Sequence, residues 1–222
     1  MTAASLFELG VYGAKIVQRH LAVGPGGNIS VRDGDHMLIS PSGFALDEVD
    51  EKDWVRVDIQ TGCVVDPVGR PSSEVSMHRA IYEARPDVNA VVHAHPPVTI
   101  AVISSGYQEI PFMFPDQVAI AGRTPSLPYV IPCSEELASA VVHALGQDAS
   151  VLLLQNHGLI TVGATLKQAY YRTEIVEDAA RVFWMAKTIG EPRALTGEEA
   201  DAILGLEAER YRQTLLAQGT VT

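Results

Sequence analysis

Val91-Val92-His93-Ala94-His95-Pro96 joins two β-branched residues to a His-x-His pair, and few backbone conformations satisfy both halves of that sequence. The run reads as the end of a buried strand, where residues two apart point to the same side. Both imidazoles then face one point. A third histidine, His157, closes Val151-Leu152-Leu153-Leu154-Gln155-Asn156-His157-Gly158, where an aliphatic run again delivers a histidine to a strand end with a glycine behind it. Three imidazoles suit a divalent metal, and Glu74 of Pro71-Ser72-Ser73-Glu74 is a carboxylate that could be a fourth ligand or a base. Any one of these histidines alone would fit a satisfied core or surface group. Three at strand ends argue for a shared point. His20 and His36 belong to no such pattern.

A chain of 222 residues, 47% hydrophobic, is long enough for one substantial core and short for two, so residues 1–222 are expected to form a single domain. Its net charge of −11 argues against nucleic acid, whose backbone is bound by clustered Lys and Arg. An anionic substrate would therefore rest on local donors or a metal. The longest uncharged stretch, Val88 to Gln108, is broken by His93, His95 and Pro96-Pro97, which argues against a membrane span. Glu8, Lys15 and Arg19 fall within a helical pattern rather than a secretory leader. Cys63 and Cys133 are far apart, and the expectation is two reduced thiols in a cytoplasmic protein, Cys63 filling space in a hairpin.

In chain order, Leu6 to Leu21 forms an amphipathic helix that stops at Val23-Gly24-Pro25-Gly26-Gly27. The glycines before Asn28-Ile29-Ser30-Val31 make either a tight turn or a loop whose amides point at an anion. Arg32-Asp33-Gly34-Asp35 signals a hairpin between Ile29–Val31 and Met37–Ser40. Val55–Ile59 alternates as a strand, with Cys63-Val64-Val65 as its return. Ser72 is the expected cap of a helix that places Glu74 and His78 on one face. A loop region from Pro111 to Pro132 holds Asp116 and a short strand at Tyr129–Ile131. Helices capped by Ser134 and Thr165 follow, with the His157 strand between them, and one last helix runs from Gly197 to Arg212.

Five motifs in this order, Gly26-Gly27-Asn28-Ile29-Ser30, Ser40-Pro41-Ser42-Gly43, Pro71-Ser72-Ser73-Glu74 with His78, His93-Ala94-His95 and Asn156-His157-Gly158, resemble the class II aldolase and adducin family from about Gly24 to Tyr211. The resemblance implies an α/β fold, a three-layer α/β/α sandwich around a largely antiparallel sheet, assembled as a homotetramer with active sites at subunit interfaces. It implies Zn²⁺, or Mn²⁺, Co²⁺ or Fe²⁺, on His93, His95, His157 and Glu74. It places a substrate phosphate on Gly27, Asn28, Ser40, Gly43, Ser72 and Ser73, and makes Glu74 the acid/base. Asp116 falls near a family tyrosine that reaches a neighbouring active site, and Tyr211 near a C-terminal active-site tyrosine.

The implied reaction is retro-aldol cleavage of a ketose 1-phosphate (fuculose, 5-deoxyribulose or methylthioribulose type) to dihydroxyacetone phosphate and an aldehyde. Related members are decarboxylases and sugar-phosphate 4-epimerases; the epimerases use an aspartate near Asp116, but carry Asp where this chain has Glu74. A non-catalytic adducin-like interaction module has no physical need for three imidazoles around one point.

Overall fold

Strand β4 (Ala90–Ala94) is buried along its whole length near the middle of a seven-stranded sheet of order β3-β2-β1-β4-β7-β6-β5 among the described residues. The computed structural model describes residues 3–66 and 69–218, and side chains from residue 5 onward. The other strands are β1 (Asn28–Asp33), β2 (His36–Ile39), β3 (Val55–Asp58), β5 (Ser126–Leu127), β6 (Val151–Leu154) and β7 (Gly158–Gly163). Every neighbouring pair is antiparallel except β5 and β6.

Strand alternation divides the core into two layers. Val91, Leu152 and Ile160 pack with Met77 and Ile81 of α2 (Val75–Ala84) and with Leu137 and Val141 of α4 (Glu135–Leu145). Val92 and Ile29 face the opposite side, against Leu9 and Ile16 of α1 (Ala3–Gln18) and Tyr170 of α5 (Leu166–Ile189). Further along that side, Val151, Leu153 and Leu159 meet α5 and Val102 of α3 (Pro97–Ser104). Each such buried aliphatic side chain contributes about 1.5–3 kcal/mol. The result is the α/β/α sandwich with a largely antiparallel sheet. His93, two residues after Val91, consequently emerges on the α2 side, where Glu74 lies at the start of that helix.

Several local expectations are corrected. The N-cap of α2 is Glu74, not Ser72; the Ser72 hydroxyl instead accepts from the Glu74 amide at 3.3 Å. The short strand lies at Ser126–Leu127 rather than Tyr129–Ile131, because β6 bonds back to Pro125 and Leu127 before Pro128 ends the pairing. Tyr129 and Ile131 are exposed. Cys63–Val65 contributes one isolated bridge, Val64 to Val57, and Cys63 is exposed. The last helix is two, α6 (Gly197–Leu204) and α7 (Glu207–Gln218), broken at Gly205-Leu206, since glycine weakens a helix interior. Among the described residues, no helix is long and apolar enough to cross a membrane.

Candidate active site

His93, the penultimate residue of β4, has Nδ1 2.9 Å from the Leu159 carbonyl, which can only accept, so Nδ1 carries the proton. Its Nε2 is thereby aimed away from the sheet, 3.0 Å from His95 Nε2 and 3.0 Å from Glu74 Oε2. His95 lies one residue past β4. His157 sits in the turn between β6 and β7, after Asn156 at φ 55°, with its Nε2 3.4 Å from Glu74 Oε1. One ligand atom from each histidine lies within 4.8 Å of the others.

Two glycines make this convergence possible. A Cβ at Gly158 would stand 2.3 Å from the Ala94 carbonyl oxygen and 2.7 Å from His95 Cδ2, so no side chain fits between β7 and the His95 ring. Gly27, at φ +75°, would bring a Cβ to 3.0 Å from the His93 carbonyl. The glycine beside each motif thus serves close backbone approach.

The residues present fit a divalent cation. Glu74 Oε1 and His157 Nδ1 are buried without a hydrogen-bond partner, and three imidazoles with a carboxylate are a suitable donor set. Burial, followed by the charges of His93 and His157, pushes His95 down to about 3; burial and then His93 push His157 down to about 4. Both rings are held neutral, which is the form that donates a lone pair. Burial works to raise the Glu74 carboxyl, but the His93 charge, hydrogen bonds to His93 and Asn28, and His157 hold it well below the usual carboxylate range.

Asn28 stands directly opposite His93 across β1 and β4. Its Nδ2 is 2.9 Å from Glu74 Oε2 and its Oδ1 is 2.6 Å from His78 Nε2. Beyond it, His78 Nδ1 meets Ser30 Oγ at 2.7 Å, and Ser30 Oγ meets the Tyr82 hydroxyl at 2.8 Å. The Glu74–His78 pair is therefore buried rather than solvated. Ser30 closes the first motif but was given no role, and Tyr82 escaped the motif reading, although two-residue spacing from Asn28 and four-residue spacing from His78 put them on those faces.

A cleft of about 340 Å³ opens over the histidines, bordered by Gly27, Asn28, Gly43, Ser72, Ser73 and Glu74 with His95 and His157. Ser42 and Cys133 also line it, and neither was given a site role from sequence. Ser40 lies behind the wall: it is buried, its hydroxyl accepts from the Ile29 amide at 3.2 Å, and its carbonyl accepts from the Ser72 amide at 3.0 Å. Asp116 and Tyr211 do not line the cleft of their own chain. Asp116 precedes a short π-helical turn (Gln117–Ala121) and is bound by Arg212 at 2.9 Å, while Tyr211 is 60% exposed.

Residues 8–184 match the family described as Class II Aldolase and Adducin N-terminal domain. The chain is 35% identical over 209 residues to 5-deoxy-D-ribulose 1-phosphate aldolase of Bacillus thuringiensis serovar kurstaki, covering 93% of this chain and 96% of that protein. It is also similar to a solved L-fuculose 1-phosphate aldolase, with a TM-score of 0.85 and 32% identity across 96% of this chain and 98% of that one. YgbL from Klebsiella pneumoniae, described as a putative aldolase/epimerase/decarboxylase, gives a TM-score of 0.83 and 30% identity over 91% of this chain and 99% of its own.

Proposed function

The chain belongs to the class II aldolase and adducin family and is a lyase of the aldolase type; on that footing we propose that it cleaves a ketose 1-phosphate to dihydroxyacetone phosphate and an aldehyde. The observation that carries this reading is the meeting of three imidazoles with one buried carboxylate at the floor of a small polar cleft. His93, His95 and His157 would hold the cation. A divalent ion bound there supplies Lewis acidity at the substrate's carbonyl oxygen, where negative charge gathers as the C3–C4 bond breaks.

The chain's own groups divide the remaining work. Ser72 and Ser73, the amides at Gly27 and Gly43, and the second amide proton of Asn28 offer neutral donors for a phosphate at the cleft mouth, consistent with the scarcity of Lys and Arg in these motifs. Glu74, ionised and with Oε1 free of hydrogen bonds, is suited to take up the proton that the substrate's C4 hydroxyl releases as the C3–C4 bond breaks and to hand it to C3 once the aldehyde departs. Ser40 supports the Ser72 segment from behind, through the carbonyl that accepts from the Ser72 amide. Any part Asp116 or Tyr211 takes at the aldehyde-side oxygen calls for a second copy of the chain, which is how the homotetramer enters this proposal. A zinc ion and a cytoplasmic location are retained as parts of the same proposal.

The likeness to YgbL and the placement of Asp116 motivate one second reading, in which the same site decarboxylates or epimerises a sugar-acid or sugar phosphate. A coupled assay for dihydroxyacetone phosphate, run on a panel of ketose 1-phosphates with metal-loaded and chelator-treated protein, separates them. Metal-dependent release supports the aldolase; carbon dioxide or an epimer without aldehyde supports the alternative.

A further inference from the structure

The buried chain behind Glu74 has a direction that its atoms determine. Asn28 Oδ1 can only accept, so His78 must donate to it from Nε2 across their 2.6 Å contact. A neutral His78 with its proton on Nε2 presents a lone pair at Nδ1, which accepts from Ser30 Oγ at 2.7 Å. Having given its proton to His78, the Ser30 hydroxyl accepts from Tyr82 at 2.8 Å. At the other end, the Asn28 amide can only donate from Nδ2, and it does so to Glu74 Oε2.

We propose that His78 is a positioning residue: by holding Asn28 Oδ1, it locks the amide with Nδ2 towards Glu74 and so fixes the carboxylate for proton transfer. Without the His78 donor, the amide of Asn28 is free to turn over and present Oδ1 to the Glu74 carboxylate, oxygen against oxygen. The environment favours the required protonation states. Burial pushes the His78 ring down to about 3, with His93 adding to the effect, and burial raises the Tyr82 phenol, so the pair stays neutral. His78 is fully buried and does not border the cleft, which separates it from substrate.

The catalytic consequence rests on the aldolase reading, whereas the hydrogen-bond order does not, and the test keeps them apart. His78→Gln retains a donor near the original Nε2 position, whereas His78→Asn is too short to reach Asn28. With kcat, KM and bound metal measured on each, His78→Gln is expected within about threefold of wild-type kcat and His78→Asn about 10–100-fold below it, KM and metal content being unchanged in both. Equal losses in the two variants, a loss carried by KM, or no loss in either would overturn the proposal.

The wild-type protein supplies a second measurement that needs no variant to fold and no turnover. Nitrogen-15 spectra of histidine-labelled protein are expected to show His78 as the neutral Nε2–H tautomer. A proton on Nδ1 instead would overturn the proposal. Should no ketose 1-phosphate be cleaved, the aldolase reading fails while the tautomer still decides the order of the chain.

Discussion

Glu74 Oε2 lies 3.0 Å from His93 Nε2, so the carboxylate shares its immediate space with a nitrogen directed at the candidate metal position. The contact explains why Glu74 stays ionised although it is only 6% exposed. It also places the acid/base candidate and the candidate ligands within one set of contacts, so a change in either is felt by the other.

Acid should destabilise the metal-free protein before ordinary carboxylates titrate. His78 has a folded value of about 3, against 6.5 for an unperturbed imidazole. Between these values the unfolded chain binds a proton that the folded chain refuses, so stability is intact above pH 6.5 and declines as pH falls towards 3. His95 and His157 act in the same direction. At about pH 5.5, His78 alone costs about 1.4 kcal/mol, or roughly 3–5 °C in Tm. Melting curves on chelator-treated protein between about pH 7.5 and 5.5 check this; a flat series would contradict it.

Removing one ligand should weaken metal binding without unfolding the chain. His157→Ala leaves two imidazoles and is expected to lower affinity by more than the roughly 10–100-fold typical of losing an outer partner of a metal ligand. Competition against a chromophoric chelator gives the number, and unchanged affinity would remove His157 from the ligand set.

Gly158→Ala should be costly despite adding one methyl group. The new Cβ meets the Ala94 carbonyl oxygen at 2.3 Å and His95 Cδ2 at 2.7 Å, so β4 or the His95 ring must move. Denaturant titration should show a loss of about 1–3 kcal/mol, accompanied by weaker metal binding. Wild-type stability would mean that β7 does not pack this closely on β4.

Asp116→Asn should separate stability from activity. The Asp116–Arg212 pair is about half exposed and contributes at most ~1 kcal/mol, so Tm should hardly move. If Asp116 handles the aldehyde-side oxygen of another copy's site, kcat falls, and mixed oligomers of Asp116→Asn and Glu74→Gln chains regain activity that neither variant has alone. Failure of the mixture to regain activity would count against a role across copies.

Legibility in the sequence followed the strength of local pattern. The three histidines and Glu74 were readable because strand alternation and short turns leave few places for them, and both β4 before His93 and β6 ahead of the His157 turn are wholly apolar. The three-layer sandwich followed from family motifs more than from periodicity. What stayed hidden depends on contacts distant in sequence. Ser40 sits in a motif that borders the cleft, yet only the packing of β1 and β2 buries it outside the cleft lining, and nothing near Asp116 announces Arg212, 96 residues away. The break at Gly205 was masked by charges that continue through both final helices.

The histidines hold a cation while Glu74 moves the proton in the proposed reaction, and Glu74→Gln tests both halves in one sample. Metal content and dihydroxyacetone phosphate release should be measured together on wild type and variant. Bound metal is expected in both proteins, with kcat reduced about 10²–10⁴-fold in the variant, the usual contribution of a positioned general acid or base. Wild-type turnover by the metal-loaded variant would contradict the role of Glu74, and a wild-type protein that binds no divalent ion would contradict the site itself.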